Sequence, residues 1–197
     1  MNEDVLALVE GRRGHFQLES GHHGDLWLQL EALCLRPREI QPFAVRLAAA
    51  LRRHRVDVVC GPLVEGAYVA LLVSLELDCD FVYAERFAEP PRTGLFPVEY
   101  RVPKALHAAV RGKRVAIVND VISAGSAVRG TLRDLQFLGA EVAAIGALLG
   151  LGDSIAKFAA ENHVALDLLQ QMPHNLWTPE QCPLCAAGKP IEIASTS

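Results

Sequence analysis

The stretch Val115-Ala116-Ile117-Val118-Asn119-Asp120-Val121-Ile122-Ser123-Ala124-Gly125-Ser126-Ala127 decides how the chain is read. Its first four residues are apolar and mostly β-branched, as in a short strand buried on both faces. Small and polar residues then open a turn into a helix that the pattern extends to Gly139. A carboxylate such as Asp120 accepts hydrogen bonds from two vicinal hydroxyls, and Asn119 beside it can bond a third group. Residues 123–126 can turn backbone N–H groups and hydroxyls toward an anion at the positive end of the helix dipole. A sugar and a phosphate are addressed together, although a plain strand-to-helix turn capped by Asp120 needs the same residue types.

The flanking sequence alternates in the same way. Ile40, Phe43, Ala44, Leu47, Ala48 and Leu51 recur at three- and four-residue steps, and Arg52, Arg53 and Arg55 follow where cations suit a helix C-terminus. Strands are expected over residues 56–60, 81–83, 98–102, 141–149 and 164–169, and helices over 66–77 and 154–162. The cluster Glu89-Pro90-Pro91-Arg92-Thr93-Gly94 predicts a long loop over 88–97. Strands alternating with helices imply right-handed βαβ units and a mostly parallel sheet covered on both faces. Ligands of such sheets sit beyond the carboxyl ends of the strands.

A length of 197 residues fits one domain, and a hydrophobic fraction of 51% with 21% charged residues excludes disordered, collagen-like and coiled-coil classes. The net charge of −4 argues against a nucleic-acid surface built on bulk positive charge. No stretch approaches the roughly 18 apolar residues of a membrane span, and residues 1–11 lack the basic start and apolar core of a secretory signal. Five cysteines, an odd number without such a signal, point to a reducing cytoplasm. The basic residues are fifteen arginines and only four lysines, at 104, 113, 157 and 189.

The segment from Val115 to Ala127 resembles the phosphoribosyl-pyrophosphate (PRPP) motif of the type I phosphoribosyltransferases, with Asn119 where the family usually has a first carboxylate. Two further segments resemble the orotate branch. Gly14-His15-Phe16-Gln17-Leu18-Glu19-Ser20-Gly21-His22-His23 is similar to its N-terminal base-pocket segment, and Cys60-Gly61-Pro62-Leu63-Val64-Glu65-Gly66 to its pyrophosphate loop. The resemblance implies an α/β fold with a central mostly parallel sheet flanked by helices and a small N-terminal hood. It divides the chain into a hood over 1–35, a core over 36–172 and a tail over 173–197.

Transfer of ribose 5-phosphate from PRPP to a base, orotate by default, is the implied activity, with Mg2+ carried by PRPP and a homodimer as the working form. The implied PRPP site comprises Asn119, Asp120, Val121, Ile122, Ser123, Ala124, Gly125, Ser126 and Ala127. Gly61, Pro62, Leu63, Val64, Glu65 and Gly66 would hold pyrophosphate, and Glu19, Ser20, Gly21 and His22 would line the base pocket. Arg86 and Arg101, together with Asp120, are the candidate catalytic residues, because arginine clamps phosphate bidentately. Nucleic acid and membrane are not expected partners.

The departures bear on the base. Orotate enzymes usually carry a basic residue where Glu19 stands, and a mobile loop with lysines and a histidine where residues 86–103 have neither. Asp153 stands where several of them place an arginine. A buried carboxylate left without a cation is costly, so a purine or other base whose donor meets Glu19 or Asp153 is the alternative, as is a non-catalytic PRPP sensor. Cys182-Pro183-Leu184-Cys185 has the spacing of half a zinc site, and His174, Cys79 or a second copy of the chain are candidates to complete it.

Overall fold

The computed structural model describes residues 4–87 and 94–193. The chain runs β1 (Glu10–Gln17), β2 (His23–Gln29), α1 (Pro37–Leu51), β3 (Val58–Pro62), α2 (Glu65–Leu77), β4 (Asp80–Phe87) and β5 (Glu99–Arg101). It continues through α3 (His107–Val110), β6 (Arg114–Ile122), α4 (Ser126–Phe137), β7 (Glu141–Leu151), α5 (Ser154–Glu161) and β8 (Ala165–Met172). The tail adds β9 (Leu176–Trp177), α6 (Pro183–Ala186) and β10 (Glu192–Ile193).

Six strands form the central sheet in the order β5-β4-β3-β6-β7-β8. All neighbours are parallel except β5, which runs antiparallel to β4 at the edge. The run Val115 to Val118 shows why both faces must be covered. Ala116 and Val118 pack with Val59, Ala144, Leu148 and the six buried residues of α1 on one face. Val115 and Ile117 pack with Val58, Val82, Ile145 and Val128, Leu132 and Leu135 of α4 on the other.

Chain order along the sheet creates a switch point. From β3 the chain moves outward to β4, whereas β6 returns to the opposite side of β3 and continues outward through β7 and β8. Helix α2 therefore leaves β3 onto the face it shares with α1, and α4 leaves β6 onto the other face. Between two helices that diverge in this way lies a crevice at the carboxyl ends of the strands.

The expected strands and helices of the core are all present, with different lengths. Strand β6 runs on through Asn119–Ile122, and β4 and β8 extend three or four residues past the expected ends, because neighbouring strands continue the ladder where side-chain alternation fades. Residues 88–93 of the expected long loop lie outside the described residues. A second sheet joins the two ends of the chain, in the order β10-β1-β2-β9. Hairpin β1–β2 forms its centre, and the tail supplies both edges. Among the described residues, no helix is long and apolar enough to cross a membrane.

Edge strand β5 is held from outside the sheet as well, since the buried Val102 backbone N–H donates to the Asp134 carboxylate of α4 at 2.8 Å. Asp134→Ala leaves that donor without its acceptor and is expected to lower stability by about 1–3 kcal/mol. Urea unfolding measures the loss, and an unchanged midpoint would show that this bond does not anchor the edge.

Candidate functional site

The switch-point crevice is a cavity of about 700 Å³. Its walls are Leu18, Glu19 and Ser20 from the hood, Pro62–Gly66 after β3, Arg86 and Tyr100 from β4 and β5, and Asn119–Val128 after β6. Segments far apart in the chain converge here because parallel strands end on one side.

Asp120 is 4% exposed at the end of β6. Burial, reinforced by the negative charge of Glu65, pushes its carboxyl up to about 7, while the backbone N–H of Val121 favours the charged form. The neighbouring Asn119 amide donates to the Val121 carbonyl at 2.9 Å, which fixes its rotamer. Gly66 comes down on Asn119 so closely that a Cβ there would stand 2.0 Å from Asn119 Oδ1. The second loop of the cavity therefore needs glycine at 66 to sit against the first.

After β6 the chain turns through Ser123, Ala124 and Gly125 into α4. Gly125 stands before the first helical residue with φ of +84°, a conformation that a side chain would strain. The turn presents backbone N–H groups at the start of a twelve-residue helix, whose dipole favours an anion. The Ser123 hydroxyl oxygen is buried here without a hydrogen-bond partner, so a ligand oxygen reaching it relieves an unpaired polar group.

Arg129, one turn into α4, escapes a sequence search for ligand contacts because its role is internal. Its guanidinium donates to the Ala124 carbonyl and to Ser154, and lies over the rings of Phe96 and Phe158 at 4.6 and 4.2 Å. It braces the turn from behind. No motif marks it; only the folding back of α5 onto α4 brings Ser154 and Phe158 to it.

The two candidate arginines fall on different sides. Arg86 lines the cavity and its Nε pairs with the Glu19 carboxylate at 3.3 Å. Arg101, one strand position from Tyr100, bonds Glu99 at 2.7 Å and stacks on Phe87, facing a smaller groove beside α4. Tyr100 reaches Glu19 with its hydroxyl at 3.2 Å, and burial together with that carboxylate raises the phenol well above its ordinary range.

Of the base-pocket candidates, Glu19 and Ser20 line the cavity, while Gly21 and His22 form the turn behind them. His22 bonds Ser20 Oγ at 3.0 Å and faces a groove shared with Arg129; burial and that arginine lower its pKa. Asp153 is also outside the cavity, paired with Lys157 at 2.6 Å. Of the candidate pyrophosphate-loop residues, Gly61 sits under α2, where a Cβ would clash with Ala67, and the other five border the cavity. Cys182 and Cys185 lie beside His15 and His23 of the hood hairpin, and among the described residues neither His174 nor Cys79 belongs to that group.

Gly66→Ala is expected to displace Asn119 and cost about 1–3 kcal/mol by overpacking, read by urea unfolding. An unshifted midpoint would mean that the two loops do not depend on this close approach.

The family profile of the phosphoribosyl transferase domain matches residues 38–180. An orotate phosphoribosyltransferase of Caldanaerobacter subterraneus is 29% identical over 195 residues, covering 96% of this chain and 94% of that protein. Another, from Heliobacterium modesticaldum, is 32% identical over 187 residues, 93% of this chain and 88% of the relative. Among solved structures, the orotate phosphoribosyltransferase of Aeropyrum pernix superposes with a TM-score of 0.64 at 21% identity, over 87% of this chain and 94% of that one. An adenine phosphoribosyltransferase of Thermoanaerobacter pseudethanolicus reaches the same TM-score at 17% identity, over 86% and 99%. At those identities the superpositions speak for the fold alone, but the profile and the relatives covering nearly the whole chain decide the family: the chain belongs to the type I phosphoribosyltransferases.

Proposed function

We propose that this phosphoribosyltransferase transfers ribose 5-phosphate from PRPP to a ring nitrogen of orotate and releases pyrophosphate, a step of pyrimidine nucleotide synthesis. The observation that carries the reading is a cavity of about 700 Å³ bordered jointly by the Asn119–Ala127 turn, the Pro62–Gly66 loop and hood residues Glu19 and Ser20. A sugar, its 5′-phosphate, a pyrophosphate and a planar base need separate walls of one space, and these segments supply them. Relatives of that activity match nearly the full chain.

In this reading Asp120 accepts the ribose hydroxyls, and Asn119, fixed by Val121, takes a neighbouring bond. The Ser123–Ala127 turn holds the 5′-phosphate on the α4 dipole, with Ser123 Oγ as an added donor. The loop at residues 61–66 faces pyrophosphate. Mg2+ enters with PRPP as part of the substrate; the carboxylates of Asp120 and Glu65 are hard oxygen donors of the kind it takes. Breaking the bond at the anomeric carbon leaves negative charge on pyrophosphate, and Arg86 at the cavity wall is the cation placed to offset it. Rate enhancement comes chiefly from positioning and leaving-group neutralisation, with no dedicated general base.

A specific observation favours a different base. The Glu19 carboxylate stands in the wall with Tyr100 and Arg86 bonded to it, so a base bearing a donor meets a ready acceptor there. The test is a panel of orotate, purines and other bases with Mg-PRPP, read by pyrophosphate release. Turnover with orotate supports the proposal, turnover only with another base moves the substrate, and tight PRPP binding without turnover leaves a sensor.

Asp120 also predicts a pH dependence. Its carboxyl, raised to about 7, is neutral below that pH and charged above it, and charged acceptors bind hydroxyls more strongly. PRPP affinity should rise as pH increases through about 7, and Asp120→Asn should remove that step. Calorimetry showing the same pH profile in both proteins would take Asp120 out of the ribose site.

The working form is a homodimer in this reading. Tyr68, Leu71 and Leu75 follow three- and four-residue spacing along α2, each more than 40% exposed, a stripe that a second copy would cover. Tyr68→Glu should shift the mass measured by light scattering from dimer to monomer; an unaltered mass would place the interface elsewhere. Five free cysteines suit the reducing cytoplasm as the site of action.

A further inference from the structure

The hood hairpin and the tail meet at four side chains whose chemistry the transfer reaction does not use. His15 and His23 come from β1 and β2; Cys182 and Cys185 come from the start of α6, where a spacing of three residues turns both thiols to one side. One ligating atom from each lies within 4.8 Å of all the others. His15 Nε2 is 3.2 Å from His23 Nδ1, 3.4 Å from Cys182 Sγ and 3.6 Å from Cys185 Sγ, and His23 Nδ1 is 3.2 Å from Cys185 Sγ. A tetrahedron with Zn–S bonds of about 2.3 Å and Zn–N bonds of about 2.0–2.1 Å has donor-to-donor edges of roughly 3.3–3.8 Å. The observed separations fall close to those edges.

Two further observations point the same way. The other ring nitrogen of His15, Nδ1, bonds the Lys189 carbonyl at 3.0 Å. A carbonyl accepts, so Nδ1 carries the proton and the Nε2 lone pair is turned to the cluster, the arrangement that orients metal-bound imidazoles. His15, His23 and Cys182 are 3%, 7% and 3% exposed, which gives three donors a shielded setting, with Cys185 at the surface. The register of the hairpin shifts between Arg13 and Phe16, and this irregularity lets His15 and Phe16 both be buried although they are neighbours.

We propose that His15 Nε2, His23 Nδ1, Cys182 Sγ and Cys185 Sγ bind one zinc ion that fastens the C-terminal tail to the hood hairpin. A closed set of two imidazoles and two thiolates with no open position suits a structural ion and leaves zinc no place for a reacting water. Binding releases the two thiol protons to solvent, and no electron is transferred. The turn at residues 18–22 is strung between the two histidine ligands, so the ion also ties down the segment that carries Glu19 and Ser20 to the cavity. Its placement outside the cavity makes its occupancy independent of which base, if any, the enzyme accepts.

The experiment measures zinc by mass spectrometry of metals in full-length protein purified under reducing conditions without chelator, before and after incubation with zinc chloride and desalting. About one zinc per chain is expected, with at least a tenfold loss in Cys185→Ser and in the Cys182→Ser, Cys185→Ser double variant. Cobalt substitution should give the intense visible bands of a tetrahedral site and a thiolate charge-transfer band, both lost in the same variants. Stripping zinc should make the tail after residue 173 the first site of limited proteolysis. Cys185→Ser, at an exposed position, keeps the comparison free of a folding defect. Less than a tenth of an equivalent of zinc in the unaltered protein after incubation would overturn the proposal, leaving a hydrogen-bonded cluster of thiols and imidazoles. Equal zinc in the variants would overturn it as well, by placing the metal elsewhere.

Discussion

The close approach of Gly66 to Asn119 is the contact on which the cavity depends. It joins the loop after β3 to the end of β6 at the one place in the sheet where successive helices leave on opposite faces. Any side chain at 66 would meet the Asn119 amide before the two loops could share one crevice. The core on either side serves this geometry: α1 and α2 cover one face and α4 and α5 the other, so both strand ends are held from beneath by fully buried residues.

The charges in the crevice are arranged around burial. Asp120 is buried near a second carboxylate, Glu65, and its carboxyl is raised accordingly; a cation arriving with the substrate would reverse that penalty. The arginines near the site are mostly committed to the protein itself. Arg129 spends its donors on Ala124 and Ser154, and Arg86 meets Glu19. The protein thus offers phosphate mainly oriented backbone dipoles, which cost no reorganisation when an anion binds.

The hood is not a separate N-terminal unit in its hydrogen bonding. Its hairpin is flanked on both edges by strands from the tail, so residues near the two ends of the chain form one sheet over the cavity. His15 and His23, which flank the hairpin's turn, meet the Cys-Pro-Leu-Cys turn, and the wall residues Glu19 and Ser20 sit within the hairpin's turn. The tail therefore pairs with the same hairpin that carries two of the cavity's wall residues.

Periodicity made the core legible from the sequence. The β-branched run at 115–118 and the three- and four-residue spacing in α1 depend on local side-chain pattern, which is a property of the chain itself, and so does the small-residue turn into α4. Strand ends were harder to read, because Asn119 to Ile122 extend β6 through ladder bonds to β7 and not through any alternation of their own. Resemblance pointed to Glu19 and Ser20 and the phosphate chemistry of arginine to Arg86 and Arg101, but only the register of β5 against β4 set Arg86 at the cavity wall and Arg101 beside the smaller groove. The spacing of Cys182 and Cys185 was plain, yet their neighbours His15 and His23 lie more than 150 positions earlier. Pairings at that distance carry no local signal: they are decided when the tail closes the edges of the hood sheet, and only the tertiary structure decides that.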